Sequence, residues 1–143
     1  MSAFIDPSRA QFDAFKALDR DRPLDMLNLV ALRPQAAYPE GHALADAGLS
    51  GQDAYARYGA ETAPILARVG GKIAWRGRFD VTLIGPPEER WDIMFVARYP
   101  SAHAFLAMVS DAEYQRAVVH RQAGVRSSRL IRSEALAGQE QFG

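Results

Sequence analysis

The chain has 143 residues, no cysteine and a formal net charge of +0, with 17 basic and 17 acidic residues. This length fits one domain, the lack of cysteine excludes disulfides and thiolate metal sites, and the balanced charge argues against general binding to nucleic acid or to anionic membranes. The longest nearly apolar stretch, residues 26–32, is far shorter than the roughly 20 residues of a membrane-spanning helix. The amino terminus lacks the pattern of a secretory signal, so we expect a soluble, cytoplasmic protein.

The first predicted elements are a short helix, a strand and a long loop. Asp6-Pro7 suits the start of a helix, and apolar side chains recur at near-helical spacing over residues 12–18. Residues 24–32 are almost all apolar and too few for a confident helix, so they predict a strand that is covered on both faces. The prolines and glycines of residues 33–49 predict a loop, and a loop of that length usually serves as a lid or an interface arm.

The middle of the chain predicts a helix followed by a β-hairpin. Ser50 to Asp53 resembles a capping box and opens a helix that Gly70-Gly71 terminates. Pro64 lies inside this helix, where it should remove one hydrogen bond and bend the axis. Residues 72–84 and 91–99 are rich in β-forming residues and flank a Gly-Pro-Pro turn, which is typical of an antiparallel hairpin.

A broken helix and a last strand complete the pattern. Ser101 suits the cap of one helix, and residues 110–113 form a second capping box at which the helix restarts and then runs to Gly124. Residues 127–133 predict the last strand, and the tail over 137–143 is expected to be frayed.

The order of these elements indicates an α+β fold. Without the first helix it is β-α-β-β-α-β, the ferredoxin-like pattern, in which two helices cover one face of a four-stranded antiparallel sheet. We therefore predict a single domain over 1–143, made of a helical extension over 1–22 and a ferredoxin-like core over 24–133.

Such a sheet leaves its second face uncovered. Side chains alternate between the two faces of a strand, and we assign the sets that contain polar residues to the uncovered face: Met26, Asn28, Val30 and Leu32 on the first strand, and Asp92, Met94, Val96 and Arg98 on the third. The apolar members of these sets would form a patch of the kind that marks an interface. We therefore predict a homodimer that packs sheet against sheet, within which Asp92 and Arg98 can pair.

Several short motifs, in the order in which they occur, resemble a known family. They are Tyr55 to Tyr58, Gly70-Gly71-Lys72, Arg98 to Ser101, Ala104-Phe105, and Glu113 to Gln115 followed by Arg121. They are similar to the dimeric α/β-barrel superfamily, specifically to its domain-of-unknown-function family thirteen-thirty, over roughly residues 25–133.

The resemblance implies a ferredoxin-like subunit and a dimer whose sheets close into a barrel. The wider superfamily includes cofactor-free monooxygenases, lactone isomerases and haem enzymes, but this family has no settled activity. The chain departs from the family pattern at Leu83-Ile84-Gly85, where members often carry a carboxylate, and also in its first helix and its 33–49 loop.

The candidate chemical groups are few. His42, His103 and His120 are not at metal-ligand spacing, and no phosphate-binding glycine motif or Gly-x-Ser-x-Gly is present. We therefore expect neither a structural zinc site nor a required cofactor. Arg121 falls on the apolar stripe of the last helix, where it is part of a structural ion pair, a side chain that reaches solvent at the helix end, or a clamp for an anion. His120 lies at the edge of that stripe, where it is either half-exposed or able to transfer a proton.

The remaining candidates are residues that could shape a ligand pocket. They are Asn28, Tyr55, Tyr58, Trp75, Arg76 and Arg98, with His120 and Arg121 as the catalytic pair. One hypothesis is a site that binds or transforms a small organic ligand with an anionic or carbonyl group, without a cofactor. The alternative is a non-catalytic dimeric interaction module. A connected cavity above roughly 300 Å³ with Arg121 or His120 in its wall would favour the first hypothesis.

Overall fold

The computed structural model describes residues 2–143, and its elements follow the predicted order. The helices are α1 (Arg9–Ala17), α2 (Gly51–Arg68), α3 (Ala102–Ser110) and α4 (Ala112–Gly124), and the strands are β1 (Leu24–Leu32), β2 (Lys72–Arg78), β3 (Ile93–Tyr99) and β4 (Val125–Ser133). The four strands form one antiparallel sheet in the order β2-β3-β1-β4. This is the ferredoxin-like arrangement, so the predicted fold class is confirmed. Within residues 2–143, none of the helices combines the length and the apolar character needed to cross a bilayer.

Capping hydrogen bonds set the starts of the two long helices. The Ser50 hydroxyl accepts from the Asp53 N–H at 2.9 Å, and the Asp53 carboxylate accepts from the Ser50 N–H at 3.2 Å, which confirms the predicted capping box. In α4 the cap is Asp111, whose carboxylate accepts from the N–H groups of Glu113 and Tyr114, and not the predicted box that starts at Ser110.

Four other predicted boundaries are wrong, the first being that of β3, which begins at Ile93 and not at residue 91. Helix α1 begins at Arg9 and not at Asp6-Pro7, because Ser8 caps it by accepting from the Gln11 N–H at 3.1 Å. Strand β2 ends at Arg78 and not at residue 84, because its pairing with β3 stops at Ile93 and residues 81–84 have no strand to pair with. Strand β4 begins at Val125, two residues before the predicted start.

The predicted face of β1 is also wrong. Met26 is only 3% exposed and belongs to the same buried cluster as Phe105 and Met108 of α3, so it faces the helices. Val30 packs with Tyr55 of α2, so it also faces the helices. Asn28 lies two residues from both Met26 and Val30 and is therefore on the same side, and Leu32 packs against the cluster of Val30. Asn28 is therefore not on the uncovered face, where its polar side chain had been predicted. Its side-chain amide instead donates to the Met26 carbonyl at 3.1 Å, beneath the helices.

The predicted face of β3 is correct. Ala97 and Tyr99 are buried against the helices, so Met94, Val96 and Arg98 point the other way. Within the described chain the Arg98 guanidinium donates to the Asp25 carboxylate at 2.7 and 3.2 Å, and its predicted pairing with Asp92 across a dimer stays a prediction. The strand register then defines the uncovered surface, here called the open face, whose apolar members are Leu27, Leu29, Trp75, Met94, Val96 and Ile131.

The start of α2 lies against two other backbone segments. The Gly51 N–H donates to the Arg33 carbonyl at 3.1 Å, and the Arg33 N–H donates to the Gly124 carbonyl at 2.8 Å. A Cβ atom on Gly51 would lie 2.1 Å from the Arg33 carbonyl oxygen and 2.8 Å from the Gly124 oxygen. These hydrogen bonds join the start of α2 to the residues that follow β1 and end α4. The close approach requires glycine at position 51, because any side chain there would meet backbone atoms.

Gly51→Ala is expected to lower the free energy of unfolding by about 1–3 kcal/mol, because the added methyl group must displace backbone atoms. The measurement is urea unfolding. The matched control is Gly59→Ala in the same helix, where nothing lies within 4 Å of the added carbon, and where alanine should raise stability by up to about 1 kcal/mol. Equal unfolding free energies for the two variants would contradict the close approach.

Candidate functional site

A cleft of about 1470 Å³ lies between the helix-facing side of the sheet and the helices. Its walls are mostly apolar, and they include Phe12, Phe15, Leu66, Phe95, Phe105 and Val118. Helix α1 supplies one wall, as Phe15 packs against Phe105 with ring centroids 5.0 Å apart. The sequence indicated α1 only as an extension, and nothing in its pattern revealed that it borders a cavity.

The charged side chains of the cleft are predominantly basic. The lining residues include Arg76, Arg121 and Arg132 but a single carboxylate, Asp6, whereas Arg129 pairs in register with Leu29, so its side chain points to the open face. Arg129 lies 3.7 Å from Glu89, whereas neither Arg76 nor Arg121 forms a salt bridge within residues 2–143. The cleft therefore carries positive charge that no protein carboxylate neutralises.

Arg121 is held in the cleft by neutral oxygen atoms. Its guanidinium donates to the Ser128 hydroxyl at 3.0 Å and to the backbone carbonyl of Ile5. The structural ion pair that the sequence left open is thus not formed in the described part of the chain. These contacts orient the side chain and leave further N–H donors for a ligand.

Tyrosine side chains form a polar strip along the same cleft. The hydroxyls of Tyr58 and Tyr114 lie 3.0 Å apart, and the rings of Tyr55 and Tyr58 are 5.4 Å apart. Burial raises the pKa values of Tyr55 and Tyr114 well above the ordinary value, although the nearby charges of Arg121 and, for Tyr55, Arg76 act in the opposite direction. These phenols are therefore neutral hydrogen-bond donors near neutral pH.

Thr62 is a polar residue of the cleft that the sequence did not indicate as a site. It lies on the apolar stripe of α2, and its buried hydroxyl has no hydrogen-bond partner within residues 2–143. Buried polar atoms in proteins are nearly always satisfied, so Thr62 is an exception, and its oxygen is closed to solvent behind the wall of the cleft.

The structure brings only part of the predicted set together. Asn28, Tyr55, Tyr58, Arg76 and Arg121 line the cleft. Trp75 instead lies on the open face and is 52% exposed, because a register shift between Ile73 and Trp75 changes the alternation of β2. Arg98 lies on the open face with Asp25.

His120 lies outside the cleft, in a hydrogen-bonded chain with Glu61 and Tyr38. Its Nε2 is 2.9 Å from the Glu61 carboxylate, and its Nδ1 is 2.7 Å from the Tyr38 hydroxyl. Since the carboxylate can only accept, Nε2 carries a proton, and in the neutral ring Nδ1 then accepts from the Tyr38 hydroxyl. The chain joins α2 and α4 to the 33–49 loop, in which His42 also stacks on Tyr38 at 4.7 Å. The imidazole of His120 therefore does not reach the cleft, as the predicted proton transfer to a ligand would require.

His120→Ala is expected to lower the free energy of unfolding by about 1–3 kcal/mol, because it leaves Glu61 and the Tyr38 hydroxyl without their partner. Amide exchange should also become faster at Ala36 and Ala37. The Ala36 N–H donates to the Leu49 carbonyl at the end of the loop, and the Ala37 N–H donates to the Ala123 carbonyl of α4. The control is His103→Ala, an exposed site where the change should stay within about 0.5 kcal/mol. If His120→Ala alters ligand affinity without altering loop exchange, the histidine belongs to the binding site after all.

Comparisons with known proteins agree with this fold. Residues 40–133 match the family described as Domain of unknown function (DUF1330). The chain is similar to the crystal structure of RPA0582, a protein of unknown function from Rhodopseudomonas palustris, with 48% identity, a TM-score of 0.87, and coverage of 94% of this chain and 98% of that one. Methylated RPA0582 gives 48% identity, a TM-score of 0.89 and coverage of 97% and 99%, so the shared structure includes most of α1.

A more distant structure shares the fold alone. It is SnoaB, a cofactor-independent oxygenase from Streptomyces nogalater, with 12% identity, a TM-score of 0.50, and coverage of 84% of this chain and 99% of that one. No curated protein matches the sequence. The function must therefore be argued from the cleft itself.

Proposed function

This chain belongs to the DUF1330 family, and from that premise we propose that it binds a small organic ligand, with an apolar body and an anionic or carbonyl group, in the cleft between its sheet and its helices. The observation that carries the proposal is Arg121, a cation without a carboxylate partner in a mostly apolar cavity of about 1470 Å³. A guanidinium binds a carboxylate through paired hydrogen bonds, and the apolar walls would cover the rest of the molecule.

The other polar groups suit recognition of the same ligand. Tyr55 is a neutral phenol that can donate to a carboxylate or a carbonyl, and the Tyr58 hydroxyl lies 3.0 Å from the Tyr114 hydroxyl in the same cleft. The described lining residues include no histidine, and their one carboxylate, Asp6, already accepts from the Gln122 amide at 3.2 Å. This set favours binding over acid–base catalysis, and it requires no cofactor.

The proposal includes a homodimer formed through the open face. Leu27, Leu29, Met94 and Val96 lie side by side on the two central strands, and no helix of the described chain covers them. The Arg98–Asp25 pair beside them is neutral as a unit, so two copies can meet there without a charge conflict. The alternative function is a module that only assembles through this face, and it would leave the cleft without a role. A dimer that also binds a ligand accounts for both surfaces.

The test is a thermal-shift series on the purified full chain. Octanoate is expected to raise the melting temperature, and octanol, which has the same body without the charge, to raise it much less. A ligand at 100 times its dissociation constant adds about 2.7 kcal/mol of stability, which such a scan resolves. Native mass spectrometry of the same sample shows any small molecule retained from expression. If no carboxylate of any chain length shifts the transition and nothing is retained, the binding proposal fails.

A further inference from the structure

A second cavity, of about 700 Å³, adjoins the cleft at one end of the sheet. It lies where β1 and β2 end and β3 begins, next to the start of α2, and we call it the arginine groove. Gln52, Arg76 and Ile93 line both the groove and the cleft. The two cavities are therefore neighbours on the same side of the sheet, and one elongated molecule can occupy both.

The groove carries a concentration of unpaired positive charge. Arg33, Arg76, Arg78 and Arg90 line it, against the two carboxylates of Asp80 and Asp92. None of the four arginines forms a salt bridge within residues 2–143, although the carboxylates lie in the same groove. The Asp92 carboxylate accepts from the Leu32 N–H at 2.7 Å, so its side chain is oriented by the end of β1 and not by an arginine.

Arg33 provides the second observation. Its Nε atom is buried and has no hydrogen-bond partner within residues 2–143, which is unusual for a guanidinium donor. The side chain projects from the end of β1, where the Arg33 backbone is fixed by hydrogen bonds to Gly51 and Gly124. One wall of the groove thus holds a guanidinium group that has no carboxylate partner in the described chain, and an anion in the groove would supply one.

We propose that the arginine groove binds a phosphate or diphosphate group of a ligand whose apolar body lies in the cleft. The ligand class is then a phosphorylated amphiphile, an inference that rests on the proposed function. One carboxylate offers two oxygens and one charge, too little for four guanidinium groups, whereas a phosphate ester offers more charge and more acceptor oxygens. Arg76, which lines both cavities, is placed to contact the ligand where its body meets its anionic group.

The experiment is calorimetric titration of the full chain with octyl phosphate, octanoate and inorganic pyrophosphate. Octyl phosphate is expected to bind at least about tenfold more tightly than octanoate, since it adds charge-assisted hydrogen bonds. Arg78→Gln and Arg90→Gln should each weaken octyl phosphate about tenfold while octanoate affinity stays within about twofold. Both side chains are exposed, so the variants should fold, and urea unfolding checks this. The control is Arg116→Gln on α4, which removes the same charge outside both cavities and should change neither affinity.

The outcomes separate the two proposals. If octanoate binds but octyl phosphate binds no more tightly, or if the Arg78 and Arg90 variants bind octyl phosphate as the native chain does, the phosphate site is wrong and the cleft proposal stands. Equal weakening by Arg116→Gln would show that the effect is only net charge, which also overturns the site. If neither amphiphile binds, both proposals fall. Competition by pyrophosphate against octyl phosphate but not against octanoate would support the groove as the phosphate site.

Discussion

Arg121→Met is expected to weaken octanoate binding about tenfold or more. Methionine keeps much of the apolar volume but removes the charge, and a hydrogen bond to a charged group contributes about 1.5–3 kcal/mol. Arg121 is the residue best placed for this role, since its guanidinium is fixed by Ser128 and Ile5 and has no carboxylate partner in the described chain. Titration calorimetry of both proteins at one salt concentration gives the comparison.

The control for this variant must separate the loss of charge from the loss of structure. Arg121 also holds the amino-terminal segment through Ile5, so its removal affects more than a ligand. Ser128→Ala removes one partner of the same guanidinium and one hydrogen bond to Phe4, but keeps the charge. Octanoate affinity should stay within about threefold in that variant, since the ligand's charge-assisted bonds remain. A folded Arg121→Met protein with native affinity would show that the anion lies elsewhere.

Val96→Asp is expected to convert a dimer into a monomer at micromolar concentration. Val96 lies near the centre of the open face, between Leu27 of β1 and Trp75 of β2. A carboxylate buried there without a partner costs several kcal/mol on association, whereas in a monomer it is hydrated. Light scattering coupled to size-exclusion chromatography measures the change in mass.

Leu83→Asp is the matched control for the dimer. It introduces the same charge at a side chain that is 91% exposed, in the loop between β2 and β3. We expect its mass to equal that of the native chain. A native protein that is already monomeric, or a Val96→Asp protein that remains dimeric, would remove the open face from the proposal.

Much of the fold could be predicted because its signals are local. The Ser50–Asp53 capping box and the apolar run of residues 24–32 each depend on neighbouring residues, and both appear in the structure as expected. The order of such elements was enough to indicate a ferredoxin-like sheet. The boundary of β2 failed because Val81, Leu83 and Ile84 favour strands by composition but have no neighbouring strand.

The orientation of β1 could not be predicted from alternation alone. Alternation divides the strand into two mostly apolar sets with one polar residue each, and the assignment gave weight to Asn28 at the centre of the strand and not to Asp25 near its start. Asn28 is a poor marker of the uncovered face because the helix-facing side of this sheet is not all closed core. It contains a cleft, in which a polar side chain is tolerated.

Parts of the candidate site depended on contacts between distant segments. Arg121 and Tyr55 were predicted from their helix positions, and they do line the cleft. His120 was directed elsewhere by Tyr38, a loop residue 82 positions away along the chain. The bulge in β2 likewise turned Trp75 to the open face, and no sequence pattern marked it.

The course of the amino-terminal segment has a practical consequence for the choice of expression vector. The Ser2 carbonyl accepts from the Ser127 hydroxyl at 2.6 Å, and the Phe4 carbonyl accepts from the Ser128 N–H at 2.7 Å, so this segment follows β4 towards Arg121. An affinity tag fused at this end would start beside Ser127, three residues before the Ile5 carbonyl that holds the Arg121 guanidinium, and any displacement of the segment by the tag would break that contact. A tag at the exposed carboxyl end, after residues 134–143, avoids that artefact in every titration described above.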